Sequence, residues 1–185
     1  MPAPELRRPS ALISVLAIAA FTALATAAPA SADVAPPTYY PNGPQTSVDQ
    51  ADLTGWTLCY SGLYGDSGVP LYGPGGILSE LCTGDYLMLA GGPLDDPILT
   101  VLAAAPRADV IFDTTQDLTT THAANGSEWY FNSTYSWGFA LGGDAVDKDE
   151  CDVAGFNAEY RLCFHLLDVG PDGGEMSGGY RAGAI

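Results

Sequence analysis

The chain has 185 residues and a formal net charge of −16 at pH 7, with 22 acidic residues against six lysines and arginines. Because so acidic a surface repels phosphate backbones, we expect no nucleic-acid partner. Solubility, a salty environment or the binding of divalent cations would each account for the acidity. The length suits one domain with a hydrophobic core.

The first 32 residues have the three parts of a secretory signal peptide. Arg7 and Arg8 precede an apolar run over residues 11–28, which ends at the small-residue pattern Ala30-Ser31-Ala32. This order predicts a signal peptide over residues 1–32 that is cleaved after Ala32, and an uncleaved membrane anchor is the alternative. With Glu5 the leader carries a net charge of +1, so the remainder carries −17. No later apolar run is long enough to span a membrane, which predicts a secreted, extracellular protein.

Residues 33–46 contain prolines at 36, 37, 41 and 44 and read as a Pro-rich linker or extended arm. Residues 47–185 are expected to form a β-rich extracellular domain. Short apolar segments separated by turn residues predict strands over residues 56–60, 86–90, 98–104, 108–112, 128–131, 136–141, 160–167 and 178–185. Residues 77–82 fit either a short helix or a strand.

The spacing of these strands predicts an all-β fold, namely a single antiparallel sandwich or barrel-like domain with long Gly-rich loops. The 22 glycines and 14 prolines favour a loop-rich β-fold over a helical one. The chain ends directly after a strand-like stretch, which fits a truncated C-terminus.

Four cysteines are present: Cys59, Cys82, Cys151 and Cys163. An even number in an exported chain predicts two disulfides, and three pairings are open. Proximity in sequence favours Cys59–Cys82 and Cys151–Cys163. A zinc ribbon or a thioredoxin-like site is not expected, because no C-x-x-C pair occurs.

The tetrapeptide Gly65-Asp66-Ser67-Gly68 matches the nucleophile loop of chymotrypsin-like proteases. A serine nucleophile needs a histidine base, and in that fold the histidine precedes the serine. Here His122 and His165 both follow Ser67, and no G-x-S-x-G motif is present. We therefore interpret the tetrapeptide as a turn.

Aromatic residues concentrate between Asn125 and Phe139. Alternate residues of a strand face opposite sides, so these rings divide between two faces. One hypothesis is an exposed platform that binds a glycan or a peptide, since flat rings stack on sugar rings. The alternative is that the rings form core. The candidate ligand-binding residues are Trp129, Tyr130, Tyr135 and Trp137.

An acidic loop over residues 142–152 follows the aromatic segment. Calcium prefers several hard oxygen ligands from a flexible loop, so calcium is the cofactor that this loop could hold. The spacing does not match an EF-hand, and a solvated loop is the alternative. The candidate metal ligands are Asp144, Asp147, Asp149, Glu150 and Asp152.

An ordered set of motifs also resembles an uncharacterised secreted domain of bacterial and some eukaryotic surface proteins. The resemblance covers nearly all of the chain after the leader, and it implies an extracellular module without a known activity, cofactor or catalytic residue. In that family the last motif often has a cysteine where this chain has Ala182. The motifs are WTLCY at 56–60, DYLMLAG at 85–91, SWGF at 136–139, RLCFH at 161–165 and GGYRAG at 178–183.

Together these features predict a secreted, non-catalytic binding module for an extracellular glycan or surface protein. Two alternatives from other classes remain. One is a secreted hydrolase that uses paired carboxylates, and the other is a structural component of an envelope or matrix.

Overall fold

The computed structural model describes residues 34–63, 67–132, 136–149, 157–168 and 174–182. In chain order its strands and α-helix are β1 (Gln45–Asp49), β2 (Ser67–Pro70), β3 (Tyr86–Gly91), β4 (Ile98–Pro106), α1 (Arg107–Val110), β5 (His122–Ala124), β6 (Ser127–Phe131), β7 (Ser136–Leu141), β8 (Leu162–Asp168) and β9 (Gly174–Ala182). Short 3-10 turns lie at Gln50–Asp52 and Ala158–Tyr160, and a π-helical turn lies at Ile77–Leu81. Within these stretches, no helix has the length and apolarity needed to cross a bilayer.

The strands form two antiparallel sheets. One has three strands in the order β1-β4-β3, and the other has six in the order β2-β9-β8-β7-β6-β5. Residues from both sheets belong to a single hydrophobic cluster, as expected when two sheets pack face to face. The predicted all-β fold is confirmed, and it has the sandwich form.

Alternation along the strands explains which side chains fill the core. Leu87 and Leu89 of β3 point inward from the three-stranded sheet, as do Val101, Ala103 and Ala105 of β4. Small alanines on β4 leave room for large rings from the six-stranded sheet. Those rings and their neighbours are Trp129, Phe131, Trp137, Phe139 and Leu162.

The β5–β6 hairpin turns through Asn125 and Gly126, at φ angles of 44° and 73°. A two-residue loop with both φ angles positive favours Asn-Gly, because its twist matches that of the strands. The Asn125 side chain donates hydrogen bonds to the carbonyls of Pro41 and Ala104, both at 2.8 Å. The turn therefore ties the Pro-rich segment and the three-stranded sheet to the edge of the six-stranded sheet.

Gly138 of β7 lies opposite Tyr130 of β6, whose ring covers it. A Cβ at position 138 would lie 2.5 Å from the Tyr130 hydroxyl and would also collide with the Leu162 carbonyl. We expect Gly138→Ala to lower the free energy of unfolding by about 1–3 kcal/mol, measured in urea. Gly84→Ala is the matched control, because its added Cβ meets only the Tyr86 carbonyl at 3.6 Å. Equal midpoints for the two variants would contradict this packing.

A disulfide joins Cys59 to Cys82, with Cα atoms 5.2 Å apart, which confirms the first predicted pair. Cys163 is also disulfide-bonded. Cys151 lies outside the described residues, so its pairing with Cys163 stays a prediction. Structural disulfides persist in oxidising compartments, and the Cys59–Cys82 bond fits an extracellular environment.

Two predicted strands are wrong. Residues 56–60 are irregular, because Trp56 bonds locally through its backbone to Leu53 and through its indole to Tyr39. Residues 108–112 are not a strand either, since α1 begins directly after Pro106. The Arg107 guanidinium stabilises this helical turn by donating to the carbonyls of Leu78 and Cys82.

Residues 77–82, which fit either a short helix or a strand, contain the π-helical turn at Ile77–Leu81, so the helical alternative is correct. Ser67 and Gly68 belong to edge strand β2 rather than to a turn, while Gly65 and Asp66 lie outside the described residues.

Candidate functional site

The aromatic rings predicted as a binding platform are part of the interior where the structure describes them. Trp129 and Tyr130 are 0 % exposed and Trp137 is 4 % exposed. Trp129 and Trp137 face the three-stranded sheet, and their indole nitrogens donate to the carbonyls of Ala124 and Val110. Tyr130 faces the other side of the sheet, in a smaller buried cluster. These positions support the core alternative, and Tyr135 lies outside the described residues.

The first carboxylate of the acidic loop, that of Asp144, binds other side chains of the protein. Asp144 accepts hydrogen bonds from Asn157 and forms an ion pair with Arg161 at 3.1 Å. Asp147 accepts from the backbone N–H of Asp149. Glu150 and Asp152 lie outside the described residues. In the part of the chain that the structure describes, no three His, Cys, Asp or Glu side chains are grouped to hold a metal ion.

Lys148, within the same loop, is 0 % exposed. Its ammonium group donates to the carbonyls of Thr114, Thr115 and Asp117. Burial lowers the pKa of Lys148, and the carboxylates of Asp117 and Asp113 act in the opposite direction. We call this arrangement the Lys148 clasp, because it holds the segment between α1 and β5 against the six-stranded sheet.

The same segment contains a carboxylate with a strongly lowered pKa. Asp117 accepts hydrogen bonds from the backbone N–H and hydroxyl groups of Thr119 and Thr120, which lower its pKa from 3.8 to about 2. These bonds favour the ionised form. Their contribution to stability is therefore present above pH 3.8 and is lost as the pH falls through about 2.

We expect Asp117→Asn to reduce the melting temperature at neutral pH, because the amide is a weaker acceptor than the carboxylate. The difference from the unsubstituted chain should shrink as the pH falls from above 3.8 to about 2. Thermal melts over this range test the expectation, with Asp149→Asn as an exposed control. A difference that does not change with pH would contradict it.

The segment between α1 and β5, which the Lys148 clasp holds, ends at a group of half-exposed side chains. No sequence motif indicates this group. The rings of Phe112 and His122 stack at 4.3 Å between centroids with 17° between their planes. His122 Nε2 lies 2.7 Å from Asp109 Oδ1, and the two side chains are 29 % and 34 % exposed. Phe112 is 50 % exposed.

Tyr40, in the Pro-rich segment, lies close enough to Asp109 for that carboxylate to influence its hydroxyl. Its ring packs edge-to-face on Tyr86 at 5.2 Å. Burial raises the pKa of Tyr40, and Tyr86 and the Asp109 carboxylate raise it further. We name the set Tyr40, Asp109, Phe112 and His122 the His122 surface.

Three segments of the chain meet at the His122 surface. Asp109 lies in α1, and Phe112 follows two residues after the end of α1. His122 begins edge strand β5, and Tyr40 precedes β1. His122 Nδ1 has no hydrogen-bond partner among the described residues. The surface therefore offers the half-exposed rings of Tyr40, Phe112 and His122 and the carboxylate of Asp109.

Comparison with protein-family models, curated proteins and solved structures yields no match. The candidate site therefore rests on the geometry of this chain alone.

Proposed function

We propose that this chain is an exported, non-catalytic module that binds a glycan through the His122 surface. Export is supported by the predicted signal peptide over residues 1–32 and by the Cys59–Cys82 disulfide. After cleavage the module acts outside the cell, free or at a cell surface. Calcium at the acidic loop is not needed for this function.

The observation that carries the proposal is the stacked pair of Phe112 and His122 beside Asp109. Aromatic rings pack against the C–H faces of sugars, and a carboxylate and an imidazole bond sugar hydroxyls. The His122–Asp109 contact also fixes the imidazole orientation. A polar and aromatic surface that is already ordered loses little entropy when it binds.

Phe112→Ala should weaken glycan binding by about 1 kcal/mol, roughly fivefold in Kd, because the half-exposed ring supplies the stacking face. The ligand is first found on a glycan array, and Kd is then measured by titration calorimetry. Leu94→Ala is the matched control, since Leu94 is 71 % exposed on the β3–β4 hairpin.

Both variants should melt at the temperature of the unsubstituted chain. Binding that is unchanged in Phe112→Ala would contradict the assignment of the surface. An array with no bound glycan would contradict the glycan class and leave the matrix or hydrolase alternatives to explain the protein.

A further inference from the structure

Three side-chain cations of this protein bind groups of the protein itself. Beyond residue 32 the chain has four, namely Lys148, Arg107, Arg161 and Arg181. Lys148 is enclosed by three carbonyls, and Arg161, 5 % exposed, binds Asp144 and the Ala145 carbonyl. Arg107 donates to two carbonyls near the disulfide. The Arg181 side chain lies outside the described part of the structure.

The carboxylates, in contrast, outnumber the cations 22 to six over the whole chain. Because acidic residues are in such excess and Lys148, Arg107 and Arg161 bind groups of the protein itself, we expect the outer surface to have a negative potential. Such a potential attracts positively charged ligands and repels anionic ones over about one Debye length, about 8–10 Å at moderate salt.

Within this field the His122 surface has the groups that bind an ammonium ion. Asp109 Oδ1 contacts His122, while its Oδ2 has no partner among the described residues. The half-exposed Phe112 ring, stacked on His122, offers a face that attracts cations.

We infer that the ligand of the His122 surface is a cationic glycan that carries free amino groups, such as a polymer of glucosamine. This inference rests on the proposed glycan-binding function. The sugar ring stacks on Phe112, and its ammonium group binds the free oxygen of Asp109. Anionic glycans are excluded by the same field.

The test compares a glucosamine oligomer with an N-acetylglucosamine oligomer of equal length, by titration calorimetry with the whole chain. The two differ only in the amino group, which in a mildly acidic buffer is protonated and charged in one and is acetylated in the other. We expect the glucosamine oligomer to bind about tenfold more tightly, from one ion pair and one cation–π contact. This preference should shrink between about 20 mM and about 300 mM salt.

Asp109→Asn keeps the shape of the site and removes its charge. This variant should lose most of the tenfold preference, because the uncharged N-acetylated oligomer loses less affinity than the glucosamine oligomer does. Asp95→Asn is the matched control, because Asp95 is exposed in the β3–β4 hairpin, at the opposite end of β4 from α1. It should keep the full preference.

Each remaining outcome overturns a distinct statement. Equal affinity for both oligomers overturns the cationic ligand and leaves the glycan-binding function standing. A preference that survives in Asp109→Asn overturns the assignment to this site, since the diffuse acidic surface would then explain it. No binding of either oligomer overturns the inference, and the array decides separately whether another glycan binds.

Discussion

Replacing Trp129 with alanine is expected to lower the free energy of unfolding by about 3–5 kcal/mol. The indole is 0 % exposed and packs against Phe139 with ring centroids 5.3 Å apart. Its removal leaves a cavity between the two sheets and takes away the indole N–H that donates to the Ala124 carbonyl. Chemical denaturation in urea, followed by tryptophan fluorescence of the remaining indoles, measures the loss.

Leu94→Ala, which removes an exposed apolar side chain, should change the midpoint by less than about 0.5 kcal/mol. A Trp129→Ala variant that unfolds at the original urea concentration but binds glycans less well would contradict the buried position. That result would favour an exposed binding platform that contains Trp129.

Lys148→Met is the second substitution with a large expected effect, a loss of about 3 kcal/mol. The new side chain fills similar volume, but the carbonyls of Thr114, Thr115 and Asp117 lose their ammonium donor in a buried site. Because the clasped segment connects Phe112 to His122, glycan binding should weaken too. Thermal melts and calorimetric titration give the two quantities.

Asp149→Ala is the control for Lys148→Met, since Asp149 is exposed and adjacent in sequence. Its stability should stay within about 0.5 kcal/mol of the unsubstituted chain. A Lys148→Met variant as stable as this control would show that the three carbonyls are satisfied without the ammonium group, which would contradict the clasp.

Local patterns in the sequence predicted much of the sandwich. Short apolar runs bounded by turn residues located most of β3, β4, β6 and β7, because a strand that is largely buried has few polar residues. Cysteine number and spacing predicted the Cys59–Cys82 bond. These features depend on residues close together in the chain, which is why inspection of the sequence was sufficient.

Segments whose structure depends on distant partners were mispredicted. Residues 56–60 have the composition of a strand, yet the Trp56 indole donates to the Tyr39 carbonyl, and none of the described strands pairs with the segment. At residues 108–112 the apolar run is too short for its period to distinguish a strand from a helical turn. Arg107, bonded to the carbonyls of Leu78 and Cys82, stabilises the helical form.

The candidate site was the hardest feature to predict. Tyr40, Asp109 and His122 are far apart in sequence and form no motif, so only the folded chain brings them together. The aromatic-rich segment at residues 125–139 was the predicted binding platform, because its rings are close together in sequence. Composition does not distinguish a buried ring from an exposed one, and pairing across β6 and β7 placed Trp129 and Trp137 in the core.

The most direct test of the binding function is to map the ligand by NMR on isotope-labelled protein during titration with the glucosamine oligomer. Binding at the His122 surface predicts the largest amide shifts at Tyr40, Asp109, Phe112 and His122, with Leu94 and Asp95 unaffected. Shifts confined to the acidic loop at residues 144–149, or spread evenly over the surface, would contradict it.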